Sequence, residues 1–402
     1  MPVAAPLRVG TSGDYPPFSV RASDGTFDGF DVAVARAYGR DRGREVVLVP
    51  FAWPDLERRL TAHELDVAMS GVTVRGDRLA RAPMTSTVAR TSAILLVAAS
   101  RADVPADGRG LTVAVNRGGH LERVARAHLP RASIRLVDDN RSLPELLSSG
   151  RVDGVVTDTL EAATFAPSTA SPTRVALMLS RDRKAYWVAP GNEALADDLD
   201  TWLAARSADG MLDALRAQFL ATSAAPTAEL PPASSRVVDL VARRLLLMPE
   251  VAAAKAVAGL PIEVPAREAE VLDRARAAGQ QAGLAAEPYV AFVREQMDVA
   301  KIVQRAVLAR RGTGTPPADP AAVAAARARL DGDLRPAIDR LDGQIRDALA
   351  LNAPLRSGPG ELTAALVVDA PVPGFDPAQA RRLADALSAI PARLVKRGEE
   401  IP

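Results

Sequence analysis

Two groups of residues in this 402-residue chain have the types and spacing for chemistry on small anions. In the first half, Ser70, Gly71 and Thr73 directly follow the short apolar run 65–69, which reads as a strand. Amides and hydroxyls at the carboxyl end of a parallel strand form a ligand crevice, and here they can hold a carboxylate. Arg78, seven positions beyond Gly71, can pair that carboxylate through both arms of its guanidinium. Gly118 and Gly119 open a helical pattern, where unpaired N–H groups and the helix dipole suit a second anion. Two such sites across a cleft would fit a small dicarboxylate. Asp158 and Glu161 follow the strand-like run 152–157, and Asn116 and Lys184 are further cleft candidates.

The second group depends on helical spacing. Arg244 and Lys255 stand eleven residues apart, very nearly three turns, so on one helix both face the same way. Gly259-Leu-Pro-Ile-Glu-Val-Pro265 breaks the pattern, and Arg267-Glu268 begins the next helix twelve residues after Lys255. Ala300 and Gln304 form an i, i+4 pair on a third helix. Arg335 precedes Pro-Ala-Ile-Asp339 on a fourth.

Composition narrows the chemistry. The chain is 48% hydrophobic, enough for a large core, and its 50 basic residues balance 49 acidic ones. A formal charge of +1 gives no reason to expect nucleic acid or an anionic membrane as partner. No apolar stretch is long enough to span a bilayer. The absence of cysteine excludes disulfides and thiolate catalysis. His63, His120 and His128 are scattered without metal-ligand spacing, so neither metal nor cofactor is expected. Only Lys184, Lys255, Lys301 and Lys396 are lysines, the other 46 basic residues being arginine, as a GC-rich genome would give. Against that background a lysine marks a candidate site for a compact, flexible ammonium. Lys301 is expected to point away from the helical site, at the surface.

The elements that must position these residues alternate over 7–222. Strands are expected at 7–10, 45–50, 65–69, 92–98, 111–115, 133–137, 152–157 and 186–189. Helices fall at 30–42 and 53–63, from 121 and 143 onward, and at 193–219. The β-α-β-α-β order, given twice with a crossing at 92–98, predicts a two-lobed, mostly parallel α/β unit. The Pro/Ala/Ser-rich stretch 223–235 reads as a linker. After it, long helical patterns predict an all-α unit with helices at 235–257, 265–283, 287–311, 319–351 and 376–397. The break at 312–317 predicts a loop, and 365–372 a short extended piece. Met1 to Pro6 runs straight into a strand, which suggests an added Met on a trimmed mature terminus.

The first half carries Gly10-Thr-Ser-Gly-Asp-Tyr-Pro-Pro-Phe18, Gly29-Phe-Asp31, Trp53-Pro-Asp55, Asp66-Val-Ala-Met-Ser-Gly71, Arg78, Asn116-Arg-Gly-Gly119 and Thr157-Asp-Thr-Leu-Glu161. This series resembles the amino-acid-binding class of periplasmic solute-binding proteins. It is more closely similar to the cyclohexadienyl dehydratases that share their type II fold. The resemblance implies that Asp14, Tyr15, Trp53, Ser70, Gly71, Thr73, Arg78, Asn116, Gly118, Gly119, Asp158 and Lys184 contact substrate. It makes Glu161 the general acid that protonates a departing ring hydroxyl while carbon dioxide leaves. A carboxyl enclosed in a closed cleft would have the raised pKa this requires. His120 stands where the family carries a small hydroxyl residue.

The second half is similar to the all-α chorismate mutases, and the placement of Arg335 resembles the secreted subclass, in which one chain supplies the whole site. The resemblance implies that Arg244 and Arg335 clamp carboxylates and that Lys255 and Gln304 donate to the ether oxygen. Glu268 would accept from the substrate hydroxyl, Arg267 would support the site electrostatically, and Ala300 would line it without the hydroxyl that relatives often have. The rearrangement needs no nucleophile and no proton transfer, only a held conformer and stabilised charge.

Together these resemblances imply a bifunctional enzyme of phenylalanine biosynthesis. Its domains would be 1–222, a periplasmic-binding-protein-like α/β dehydratase, and 236–402, an all-α chorismate mutase, joined by 223–235. The substrates would be chorismate and prephenate or arogenate. A homo-oligomer and a periplasmic or secreted location are expected. The alternative is a chorismate mutase fused to a non-catalytic amino-acid- or prephenate-binding module.

Overall fold

The computed structural model describes residues 5–165, 172–220, 230–311 and 319–391. The chain separates into two compact units, Met1–Val74 with Ala82–Ala225, and Arg75–Arg81 with Pro226–Pro402.

The first unit begins with β1 (Leu7–Thr11), β2 (Asp14–Tyr15), β3 (Ser19–Arg21), β4 (Phe27–Asp28), α1 (Phe30–Arg42), β5 (Val46–Pro50), α2 (Leu56–Thr61) and β6 (Val67–Ala68). The short helix α3 (Gly76–Arg81) groups with the second unit. β7 (Ala89–Thr91) and β8 (Ala93–Ala98) lead into a second lobe. That lobe contains β9 (Thr112–Asn116), α4 (His120–His128), β10 (Ser133–Val137), α5 (Leu143–Ser148), β11 (Gly154–Asp158), α6 (Thr159–Phe165) and β12 (Thr173–Met178). β13 (Asp182–Lys184) and β14 (Trp187–Val188) return the chain, and α7 (Glu193–Ala208) and α8 (Met211–Phe219) close the unit.

β1 lies between β5 and β6 and runs parallel to both, with β14 antiparallel at the edge. The second sheet has the order β10-β9-β11-β8-β12. Alternation along β8 explains why its run is apolar throughout. Leu95 and Val97 join the cluster under α4, while Ile94 and Leu96 join the one under α5. The carboxyl ends of β1, β6, β9 and β11 therefore carry Ser12, Ser70, Asn116 and Asp158 at the rims of their sheets. β7 pairs antiparallel with β13, tying the two crossings together. The 193–219 helix is broken at Gly210, whose φ of 82° places it in the left-handed region. β2 to β4, β7, β12 and β13 escape the sequence pattern because they are two to six residues long.

The second unit is helical: α9 (Pro232–Leu246), α10 (Met248–Ala258), α11 (Pro265–Gln281), α12 (Ala286–Arg311), α13 (Pro320–Arg329), α14 (Arg335–Asn352), α15 (Pro359–Asp369) and α16 (Pro377–Ser388). α9 packs on α14 and α15, and α10 packs on α12 and α13. Residues 237–245 of α9 are all buried, as a central helix demands.

Several expectations are corrected. The 235–257 helix is two helices, because Pro249 has no N–H to continue the ladder and the chain breaks at Leu247. Residues 232–235, expected in the linker, already belong to α9, which Pro232 starts at a position where its missing N–H costs nothing. A π-helical turn, Leu330–Leu334, interrupts 319–351 between α13 and α14. The segment expected to be extended at 365–372 is helical as far as Asp369, within α15. There the Glu361 carboxylate accepts from the Gly358 N–H, and Leu362 and Leu366, one turn apart, are buried. The helix expected at 376–397 ends at Ser388, with Ala389 closing it, and the loop expected at 312–317 lies outside the described residues.

Candidate active sites

In the first unit the side chains at the strand ends meet around Asp158. Asp158 closes β11, and its Oδ1 accepts from the backbone N–H groups of Leu160 and Glu161, each at 2.9 Å, so it caps α6. The Tyr15 hydroxyl donates to its Oδ2. Lys184 Nζ lies 3.4 Å from the same oxygen and donates to Tyr15 Oη at 3.0 Å and Thr73 Oγ1 at 3.1 Å. Burial, with the charges of Asp158, Glu161 and Asp182, raises the Tyr15 pKa well above its ordinary value, so the phenol stays protonated.

Glu161 lies one turn into α6 and is fully buried. Its Oε2 accepts from Thr157 Oγ1 at 2.5 Å, and its Oε1 has no hydrogen-bond partner. Burial raises its pKa well above the carboxylate range and the charge of Asp158 adds to this, while the Thr157 hydroxyl opposes it. A buried carboxyl whose pKa is raised in this way holds its proton more tightly than an ordinary glutamate.

The remaining first-half residues divide. Asp14 Oδ2 accepts from the Asn140 N–H at 3.4 Å, and its Oδ1 is buried without a partner. Trp53 is half-buried and packs edge-on against Tyr15, with centroids 5.8 Å apart. Ser70 Oγ accepts from the Ser12 N–H at 3.0 Å. Two amides expected to bind anions are engaged within the chain. The Gly71 N–H donates to Asp31 Oδ2 at 2.5 Å, and the Gly118 N–H donates to Glu122 Oε2 at 2.8 Å. Asn116 is buried at the end of β9, and its Oδ1 lies against Gly119. Arg78 is buried on α3, in the segment that groups with the second unit.

Asp31, contained in the Gly29-Phe-Asp31 motif but not singled out there, holds the loop after β6 through Gly71. Burial lifts its pKa to about 7 against the pull of the Gly71 amide. His120, at the start of α4, holds Asp182 through Nε2 at 2.9 Å, and Ser180 Oγ donates to the other Asp182 oxygen at 2.8 Å. Burial pushes Asp182 up, but His120, Lys184 and Ser180 keep it below its usual range.

In the second unit the candidate cations and amide lie on five helices, and Lys255 on one of them feels the charges of Arg335 and Arg267 on two others. Arg244 on α9 donates from Nε to Asp342 Oδ1 at 2.6 Å, and its Nη1 is buried without a partner. Gln304 on α12 is buried, its Nε2 reaching only Met248 Sδ at 3.8 Å and its Oε1 partnerless. A buried amide or guanidinium left unpaired costs about 1–3 kcal/mol, the kind of cost a ligand site retains. Lys255 on α10 donates to the Ile262 carbonyl at 2.9 Å. Burial lowers its pKa, and Arg335 on α14 and Arg267 on α11 lower it further against the pull of Glu268. Arg335 pairs with Asp331. Ala300 is buried on α12. Lys301, expected at the surface, instead bonds Glu268 Oε2 at 2.9 Å and pairs with Asp298, so Glu268 is already engaged. The break at Pro249 also means that Arg244 and Lys255 stand on two helices, not one. Among the described residues no group of three or more His, Asp or Glu could hold a metal, and no helix is long and apolar enough to cross a membrane.

Comparison with known proteins agrees with this division. The description "Bacterial extracellular solute-binding proteins, family 3" matches residues 7–222, and "Chorismate mutase type II" matches residues 234–305. The chain is 34% identical over 215 residues to a cyclohexadienyl dehydratase of Pseudomonas aeruginosa, covering 51% of this chain and 79% of that relative. It is 28% identical to the L-cystine-binding protein TcyJ of Escherichia coli, covering 52% of this chain and 80% of that protein. The crystal structure of an ancestral amino acid-binding protein, a precursor of cyclohexadienyl dehydratase, aligns at 28% identity and a TM-score of 0.50 over 54% of this chain and 96% of that one. The chain belongs to the bacterial extracellular solute-binding proteins of family 3 and has the two-lobed fold of that family, with a helical region behind it. Residues 234–305 of that helical region match chorismate mutase type II, and the chain is an enzyme, a fusion of such a domain to a relative of cyclohexadienyl dehydratase.

Proposed function

We propose that the chain catalyses two consecutive steps of phenylalanine biosynthesis: chorismate to prephenate in the helical unit, then prephenate or arogenate to phenylpyruvate or phenylalanine in the α/β unit. What carries the second step is the placement of Glu161, buried with its Oε1 unpartnered and its pKa raised by burial and by the charge of Asp158. Its proton goes to the ring hydroxyl, and the C–O bond breaks to release water. The bond to the ring carboxylate breaks, carbon dioxide leaves, and that electron pair completes the aromatic ring. Glu161, left as a carboxylate, is reprotonated from solvent. Aromatisation supplies the driving force, so one acid and a held substrate suffice.

For the first step, Arg244 and Arg335 supply positive charge for the two carboxylates of chorismate. Lys255 and the Gln304 amide donate to the ether oxygen as its bond to carbon lengthens and the new carbon–carbon bond forms. Glu268, braced by Lys301, accepts from the ring hydroxyl. The family's description as extracellular supports a periplasmic or secreted location, which fractionation of the producing cell tests.

Two variants separate the halves. Glu161→Gln should remove dehydration and leave both prephenate binding and the mutase reaction intact. Lys255→Met should remove the mutase reaction and leave dehydration of added prephenate intact. A Glu161→Gln protein that still forms phenylpyruvate at the wild-type rate contradicts the assignment of the acid. A wild-type protein that binds prephenate without converting it makes the α/β unit a binding module.

A further inference from the structure

Gln296, on α12, is 3% exposed, and its Oε1 is buried without a hydrogen-bond partner among the described residues. At 3.6 residues per turn, Tyr289, Val293, Gln296, Ala300 and Gln304 fall within about 80° of one another around α12. All five are buried, so they form one inward stripe. Both ends of the stripe meet the junction of α9 and α10. At one end, burial and the charge of Asp342 raise the Tyr289 pKa, and Arg244 on α9 is among the cations that lower it. At the other, the Gln304 amide reaches Met248, the first residue of α10, four positions after Arg244. Gln296 stands between these ends, one turn before Ala300, whose side chain is a single methyl group. Gln296 Oε1, Gln304 Oε1 and Arg244 Nη1 are all buried without partners among the described residues. Leaving a buried amide unpaired is costly, and a side chain that only filled space here would be apolar.

We infer that Gln296 is a further substrate-binding residue of the mutase site, its side-chain amide donating to the carboxylate that Arg244 holds. The inference rests on the proposed mutase reading of this unit. Arg244 gives its Nε to Asp342, so only part of its donor fork is open to a substrate. A carboxylate offers about four lone-pair sites, more than that part of the fork fills, and in a desolvated pocket the rest need donors. A half-turn of the Gln296 amide presents either its oxygen or its two N–H groups. The substrate's carboxylates do not react, so a bond to one of them is made alike in the bound ground state and in the transition state. Its loss is therefore felt in binding and not in turnover.

The test is mutase kinetics on chorismate, with thermal melting, of the full-length protein. Gln296→Met, of similar volume and without hydrogen-bonding donors, should raise KM about tenfold, with kcat within about twofold of the wild type. Its melting temperature should hold or rise, because the change removes an unpaired buried amide and opens no cavity. Gln296→Glu should make KM pH-dependent, rising as the new carboxylate ionises and repels that of the substrate, while the wild-type KM stays flat from mildly acidic to mildly alkaline pH. A folded Gln296→Met protein whose KM stays within about twofold of the wild type would overturn the inference, and a lowered melting temperature beside it would mark the amide as structural. If Gln296→Met does not fold, Gln296→Glu decides, and a flat KM there overturns the inference. A wild type that leaves chorismate untouched removes the mutase reading and this inference with it. A wild type that converts chorismate while neither variant alters KM leaves the mutase reading standing and removes the inference alone.

Discussion

Glu161 shows how a single side chain acquires a function from its surroundings. With no charge partner of its own and with Asp158 beside it, its protonated form persists well above the normal carboxylate range. Dehydration should therefore be supported by the protonated form and fall as pH rises through that raised pKa. Replacing Glu161 by Gln should lower kcat by about 100-fold or more, the usual weight of a general acid, with substrate affinity retained in calorimetry. The mutase reaction should behave differently. Gln304 does not titrate, and burial with the neighbouring Arg335 and Arg267 brings the loss of charge of Lys255 to lower pH than an ordinary lysine's. Its pH–rate profile should be flat from mildly acidic to mildly alkaline pH. A steep loss just above neutrality would count against the roles given to Gln304 and Lys255. The candidate residues of both units were chosen as types at recognisable spacings. Their engagements were not legible, because the bond of Lys301 to Glu268 and that of Gly71 to Asp31 depend on which faces the folded elements turn toward each other.

At the scale of elements, the loops at the strand ends are held by groups that have no role in the chemistry. Gly71 has a φ of 63°, and a Cβ there would lie 2.6 Å from the Tyr15 ring. Gly118 has a φ of 74°, and its Cβ would lie 2.8 Å from Pro54 of the opposite lobe. Gly118→Ala should therefore hinder apposition of the two lobes. It should raise KM for prephenate severalfold while leaving mutase kinetics unchanged, as parallel assays would show. Asp31 ties α1 to the β6 loop at an energetic cost. Its pKa is about 7 in the folded chain against an ordinary 3.8. Because the folded-state value is the higher one, the stability linked to Asp31 is fully present below about pH 4 and is lost as pH rises to about 7. A gap of about three pH units corresponds to roughly 4 kcal/mol. Thermal melts of the full chain should accordingly drop between about pH 4 and 7, and Asp31→Asn should flatten that drop. The parallel strands and long helices were readable because their apolar periods are strong. The break at Pro249 was visible as a proline yet outweighed by the helical pattern on both sides. The α15 segment misled because Leu-Val-Val is β-prone until Pro359 and the Glu361 cap are taken into account.

On the scale of the whole molecule, the two proposed reactions are chemically consecutive, the product of one being the substrate of the other. Each unit has its own core, and the change from alternating strands to long helices announced the division in the sequence. The precise start of the helical unit was not announced, because the Pro/Ser composition of 232–235 suits a linker as well as a helix start. The measurement that tests the central claim most directly is a metal-free time course of the purified full-length protein given chorismate alone, following chorismate, prephenate and phenylpyruvate. The account predicts that chorismate disappears, prephenate rises and passes through a maximum, and phenylpyruvate accumulates faster than in an enzyme-free control at the same pH. Untouched chorismate would contradict the mutase assignment, and prephenate that accumulates without decay beyond the control would contradict the dehydratase.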